Sequence, residues 1–395
     1  MASTAIGTRI SALRRRRRMS QRELAEAAGV SVDIIRKLEQ GQRTTARLET
    51  VAALAHALDV SPAELLRPHR GLVTGAEDGE VGAIRRAVLG VRAAAEEPPA
   101  LPVLRRATAE LWQLYWAGRY AQLARSLPER ITQARALARE ANESSAAYAL
   151  LAELLQMTAS LLAHLAHEDL AHLALAEAMR AAEASGDELL HAAHQATRSW
   201  VLSRQGLWAE AEQVAVETAA TIEPTLSRAA PDQVAVWGEL LRYGTTAVAR
   251  SGRQSEAQTL LGMVTAAAAR MGGDVPTKYL GLAFGPTVAA MKAVDVAIAA
   301  DRPRQAIKLA ERVEHPEVLP TAMHARYLLN VAWAYAADWR SQDAVDVLRR
   351  VEALAPEMMQ HQTIARSIVG ELLPRRNRQR LPGLVALADR MGVSG

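Results

Sequence analysis

The chain has 395 residues, of which 50% are hydrophobic, 23% charged and 4% aromatic. That is room for roughly two to three domains with sizeable cores, and the absence of cysteine excludes disulfides, Cys-held zinc or iron–sulfur sites and thiol catalysis. The formal net charge of +4 is unevenly placed: residues 1–70 hold 13 Lys and Arg against 7 Asp and Glu, and the rest of the chain holds 34 against 36, which suggests a small anion-binding module joined to a larger near-neutral one.

Ala and Leu dominate the apolar half, and only 16 Pro and 23 Gly interrupt them, so an all-α fold is expected. No uncharged apolar run reaches the roughly 18 residues of a membrane span. Arg14–Arg18 has no apolar segment after it, so a signal peptide is not expected. The cytoplasm, at the nucleoid, is the expected compartment.

In chain order, Ile6–Arg18 reads as a helix with Ile6, Ile10 and Leu13 on one face. Ser20-Gln21-Arg22-Glu23 fits a capping box, opening a short helix to Ala28 that Gly29 ends. Ser31 can cap the next helix, Val32–Gln40, which Gly41 stops. A fourth helix runs from about Arg47 to Leu58. Ser61-Pro62-Ala63-Glu64 is a second capping box opening a fifth. Five short helices with a three-residue turn between the second and third make a helix-turn-helix domain. Ala25 is small where the two helices cross; Val30, Ile35 and Leu38 fill the space between them.

Residues 6–66 resemble the Xre-type domain of phage repressors and bacterial regulators, a lambda-repressor-like fold. The resemblance is carried by Ser20-Gln21 at the start of the second helix and Leu38-Glu39-Gln40-Gly41 at the end of the third. It implies that Val32–Gln40 is the recognition helix, entering the major groove of a double-stranded operator. Val32, Asp33, Arg36 and Lys37 are then the base-reading positions, with Ile34 able to edge toward the groove. Arg or Lys suits guanine, Asp suits cytosine, and Val suits a thymine methyl. Gln21 is a phosphate anchor by resemblance, and Arg43 and Arg47 are further phosphate contacts that set register. By the same resemblance Arg14 pairs with Glu39 and ties the first helix to the third, while Arg15–Arg18 meet solvent or phosphates.

Pro68–Gly79 reads as a linker, and 71–101 as a linker segment carrying one helix, Glu80–Ala95, with Val81, Ile84, Val88 and Val91 on one stripe. The stripe is either a dimer helix or a face packed onto the domain that follows. From Pro102 to the end, helix pairs recur: 102–117/120–140, 144–163/168–185, 187–204/207–222, 231–250/253–271, 285–299/303–313, 319–337/341–354 and 357–372/380–391. The starts repeat every 38 to 44 residues apart from a Gly-rich insertion at Gly272-Gly273 and Gly281. A fixed period of helix pairs is the mark of an α-solenoid. The repeats resemble lengthened tetratricopeptide units, most clearly at Gly206-Leu207-Trp208-Ala209-Glu210-Ala211, with echoes at Gly118…Tyr120, Gly252…Ala257 and Asp301…Ala306.

In that repeat type the first helix of each pair lines the concave face. Counting back from the small residues at 211, 257, 306 and 344 places Trp200, Glu239, Arg242, Thr246, Met291, Asp295, Arg326 and Trp333 inward. This mixed surface suits a peptide or an amphipathic small molecule, or else packs between repeats. Peptide-pheromone receptors share the layout and hold the peptide backbone with Asn side chains on successive concave helices. This chain has Asn142, Asn330 and Asn377, and only Asn330 falls near the groove, which weakens a peptide ligand.

His164, His167, His172, His191 and His194 cluster in sequence, but their spacing crosses a turn and no metal site is expected. There is no phosphate-binding Gly-rich loop and no nucleophile elbow. No enzyme and no cofactor are expected. The composite reading is a sequence-specific transcription regulator, homodimeric, with residues 102–395 sensing a peptide or small-molecule effector. Long-chain proteins of this layout are actinobacterial regulators, and the excess of Arg over Lys, 43 to 4, fits a high-GC genome. The rival reading is a scaffold whose solenoid docks a partner protein while the first domain localises it to DNA. An antitoxin role suits the first domain but not the long solenoid.

Overall fold

The computed structural model describes residues 6–17, 19–40, 46, 48–58, 60, 65, 76–91, 98–139, 144–279, 283–373 and 381–393. The first domain contains α1 (Ile6–Arg16), α2 (Gln21–Ala27), α3 (Val32–Glu39) and α4 (Leu48–Ala57). Their apolar faces form one core: Ile6 and Ile10 meet Leu24 and Ala25, Ile35 and Leu38, and Val51, Leu54 and Ala55. Leu65 is buried in the same core; the rest of the expected fifth helix, with the capping box at Ser61, lies outside the described residues. Both N-terminal caps of the helix-turn-helix form. Ser20 Oγ accepts from Glu23 N at 3.1 Å while Ser20 N donates to Glu23 Oε2 at 2.6 Å, and Ser31 Oγ accepts from Ile34 N at 3.3 Å. α1 crosses the end of α3 at Gly7, where an added Cβ would fall 1.7 Å from Leu38 O. Only glycine allows that approach.

Helix α5 (Ala76–Val88) begins inside the expected linker and ends before the expected Ala95. Val81, Ile84 and Val88 are buried in the core of the large domain, so the stripe is a packed face and not a free dimer helix. Val91, the fourth residue of the expected stripe, is exposed because the helix has already ended. Arg135 Nη2 caps it, donating to Ala87 O and Val88 O at 3.3 and 2.9 Å. This satisfies carbonyls that a helix end leaves without partners.

The helix pairs follow: α6 (Leu101–Trp116) with α7 (Tyr120–Leu137), α8 (Ser144–His164) with α9 (Glu168–Ser185), α10 (Glu188–Arg204) with α11 (Trp208–Thr221) and α12 (Pro231–Arg250) with α13 (Gln254–Met271). Then come α14 (Pro286–Ala299) with α15 (Pro303–Ala310) and α16 (Thr321–Ala337) with α17 (Ser341–Leu354). Every one of these pairs turns the same way. A left-handed residue stands two places before the second helix: Gly118, Ala166, Gly206, Gly252, Asp301 and Trp339. The next residue's N–H reaches back to the carbonyl five positions earlier, from Arg119 N to Leu114 O through to Arg340 N to Tyr335 O, at 2.9 to 3.2 Å. This is the 6→1 bond of a Schellman motif. Five residues past the left-handed position stands a fully buried Ala, at 171, 211, 257, 306 and 344, where the paired helices touch. The first pair has Leu123 there instead.

Three departures interrupt the series. The Gly-rich insertion carries a short antiparallel pair, β1 (Val275–Pro276) and β2 (Ala283–Phe284). It drives Phe284 into the core against Gly238, where a Cβ would sit 2.1 Å from the ring. The first helix of the last pair is broken at His361 and Gln362 into α18 (Pro356–Gln360) and α19 (Thr363–Leu372), ahead of α20 (Leu384–Met391). Third, residues 145–164 of α8 are long and apolar enough in composition to cross a membrane, but 78% of the most apolar stretch is buried inside the protein, as in the core helix of a packed domain.

The solenoid closes on itself. α6 touches α16 and α7 touches α18. Ala121 N donates to Glu357 Oε2 at 3.0 Å, and Arg326 Nη2 lies 3.3 Å from His164 Nε2. The concave groove thus becomes the interior of a ring.

Candidate functional site

The surface of the helix-turn-helix is set by what lies beneath it. Arg14 forks onto Glu39, Nε to Oε1 at 2.7 Å and Nη2 to Oε2 at 2.8 Å, and donates its third bond to Met19 O at 2.8 Å. The two side chains are 12% and 7% exposed. Burial alone would push the Glu39 carboxyl up; the bonds from Arg14 and Gln21 outweigh it and hold it below the usual carboxylate range. Gln21, expected to anchor phosphate, gives its Nε2 to Glu39 Oε2 at 2.8 Å. One hydrogen of its amide is therefore held by this cluster, which leaves the second hydrogen of Nε2 and the main-chain N–H at the start of α2 as its donors toward a phosphate.

On the outer face of α3, Val32, Arg36 and Lys37 are exposed. Asp33 accepts from both Arg36 and Lys37, the latter at 2.6 Å, and these bonds hold its carboxyl low. The expected base-reading charges thus form one exposed network, in which Asp33 orients two long cations. Ile34 is half-buried and packs against the domain core. Arg15 and Arg17 are exposed. Arg43 and Arg47 lie outside the described residues.

The second place is the interior of the ring, a cavity of about 840 Å³. Trp200, Arg242, Thr246, Met291, Asp295 and Arg326 line it, as expected from their repeat positions. Glu239 sits behind the wall, fully buried, accepting from Arg242 Nε and Nη2 at 2.8 and 2.6 Å. Trp333 lies on the stripe that begins at Arg326 but past the cavity, half-buried against the core. Counting in from the repeats missed the residues opposite. Trp112, Tyr115 and Trp116 project from α6, Gln156 and Ser160 from α8, and Arg204 from the end of α10. Trp112 and Trp116 stack at 6.2 Å, and Tyr115 stands edge-on to both. A signal for α6 exists in the sequence: a chain only 4% aromatic puts Trp112, Tyr115, Trp116 and Tyr120 within three helical turns.

The histidines do not gather. His164 is buried beside Tyr115, Tyr120 and Trp200, with ring centroids 5.0 to 6.0 Å away. Burial first, then Arg326 and Arg204, depress its basicity strongly. His172 Nε2 faces Gln205 Oε1 at 3.0 Å, and both nitrogens of His194 face main-chain carbonyls. Among the described residues no three of His, Asp and Glu come together as metal ligands.

The helix-turn-helix family matches residues 10–65. The chain therefore opens with an Xre-type helix-turn-helix domain, the mark of a DNA-binding transcription regulator. No curated protein matches the chain.

Proposed function

We propose that this protein is a sequence-specific, homodimeric transcription regulator whose tetratricopeptide-like ring senses a peptide or small-molecule effector. The observation that carries the DNA-reading half is the exposed Asp33–Arg36–Lys37 network on α3, the second helix of the helix-turn-helix and the one read here as the recognition helix. The sensing half is supported by a cavity of about 840 Å³ within a closed ring, a size and concavity suited to a small ligand. Ring closure also favours a sensor over a scaffold, because a folded partner protein has no open concave groove to enter. The repeated Schellman turn with Ala five residues on supports the tetratricopeptide-like reading, and 43 Arg against 4 Lys an actinobacterial source. We assign no residue a catalytic role.

One short recognition helix contacts too few base pairs for genomic specificity, so two half-sites about 34–36 Å apart, or a multiple, are expected. An effector that binds one curvature of the ring better than another would change the spacing of the two DNA domains. Light scattering and a nuclease footprint test this together. The reading requires a dimer and a two-part footprint; a monomer covering one half-site contradicts it.

A further inference from the structure

The charges lining the ring do not balance. Arg242 is matched by Glu239. Asp295 serves two cations, Lys292 at 2.6 Å and Arg250 at 3.6 Å. Among the described residues, no carboxylate lies within 4.0 Å of Arg204 or Arg326. Both guanidiniums instead face one indole, 5.3 and 5.5 Å from the centroid of Trp200. Glu168, also in the cavity wall, acts on Arg204 only through longer-range attraction. Burial, then repulsion from Arg326, pushes the Arg204 guanidinium down to about 10. Two half-buried like charges without a carboxylate partner oppose folding unless something else favours them, and such groups concentrate where ligands bind.

The neutral polar groups of the same wall point the same way. Trp116 Nε1, Gln156 Oε1, Ser203 Oγ and Gln362 Nε2 are buried and have no hydrogen-bond partner in the protein. Gln156, Ser203 and Gln362 are each more than nine-tenths buried, and all line the cavity. Buried polar atoms are nearly always paired in folded proteins; these four, carried by residues of one wall but closed off from the open space themselves, leave that wall incompletely satisfied by the protein alone. The same wall also carries flat aromatic faces: the stacked pair Trp112 and Trp116, with Trp200 beyond.

We propose that the ring cavity binds a planar organic anion, its acidic head held by Arg204 and Arg326 and its flat apolar body laid against Trp200, Trp112 and Trp116. This rests on the reading that the ring senses a ligand, and it gives that ligand's chemical class. Arginine forks match a carboxylate, sulfonate or phosphate in two-point geometry, and a bound anion removes the repulsion between the two guanidiniums. A single Asn, Asn330, in the wall offers little to a peptide backbone.

The test uses the full chain and two fluorescent probes that share an aromatic body. One is 8-anilinonaphthalene-1-sulfonate; the other is its uncharged relative N-phenyl-1-naphthylamine. The anion binds at one site per chain with quenching of tryptophan fluorescence, and more tightly than the neutral probe. Arg204→Met and Arg326→Met each weaken the anion by about tenfold or more, as loss of a charge-assisted pair implies, and leave the neutral probe within about twofold. Arg204→Lys retains most of the anion's affinity. Circular dichroism melts confirm that each variant is folded. Equal binding of the two probes, with no effect of either Arg→Met change, overturns the anion assignment and leaves sensing intact. Failure of both probes to enter the ring overturns the sensing reading with it. Displacement by 2-naphthoate supports a small planar acid. Displacement by acetyl-Ala-Leu-Trp bearing a free carboxylate, but not by 2-naphthoate, overturns it in favour of a peptide terminus.

Discussion

At the scale of single residues, stability and recognition divide the arginines of the first domain between them. Arg14 is nearly buried and holds Glu39, so Arg14→Ala strands a buried carboxylate at a cost of about 3–5 kcal/mol. Arg15 is exposed, and Arg15→Ala leaves the melt within a degree or two of wild type. Thermal unfolding followed through the first domain separates the two; equal melting temperatures would make Arg14 another surface charge. On the reading face, Arg36→Ala costs about 1–3 kcal/mol on a matched operator and little on a mismatched one. Binding isotherms on both sequences decide this, and equal losses remove Arg36 from base readout. His164 sets a pH dependence in the ring. It packs against Tyr115 and Tyr120 from the first pair, and burial first, then the charges of Arg326 from α16, Arg204 from α10 and His361, disfavour its cation. Below about pH 6.5 the unfolded chain binds a proton that the folded His164 refuses, so stability is full above that value and falls as pH drops. His194 is depressed as well and adds to the slope. Melting temperatures between pH 7.5 and 5.5 should therefore decline, and less steeply in His164→Gln; an unchanged slope would show that His164 carries its proton in the fold.

At the scale of elements, turn chemistry decides the architecture. Six successive pairs share one left-handed turn, and three of them place a non-glycine there: Ala166, Asp301 and Trp339. A left-handed alanine costs about 1–2 kcal/mol relative to its ordinary conformations. Ala166→Gly should thus raise stability by about 1 kcal/mol, less the extra freedom glycine gains in the unfolded chain. Chemical denaturation measures it, and a loss of stability would mean that the methyl contributes packing that outweighs the strain. The converse case is Gly7, whose replacement by Ala pushes α1 off the end of α3 and should unfold the first domain. The helix pairs were legible in the sequence because these turns and the Ala five residues on are local signals. The same frame found six cavity residues. It could not reach α6, because Leu123 stands where the other pairs have Ala, so Trp112 and Trp116 had no register to be counted from. The hairpin carrying Phe284 was hidden for another reason: it is seated by packing against Gly238, distant in sequence. The bond from the Gln21 amide to Glu39 was equally illegible, since only the folded domain brings the two together.

At the scale of the whole molecule, two separate cores carry two tasks. The charged module holds the Asp33–Arg36–Lys37 face, and the near-neutral ring holds unmatched cations in its interior. Closure of the two ends of the ring, through Ala121 of the first pair to Glu357 of the last and His164 of the second pair to Arg326 of the sixth, places the cavity across the seam of the ring. Ligand contact with Arg326 therefore bears on the joint that fixes the ring's curvature. Selection of binding sites from a pool of random double-stranded DNA, by the full-length protein and by Arg36→Ala in parallel, tests the central claim most directly. The account predicts an inverted repeat with half-sites about one helical turn or a multiple apart, and loss of preference at one symmetrical base pair per half-site in the variant. No enriched sequence, or an identical sequence preference in the two proteins, would contradict it.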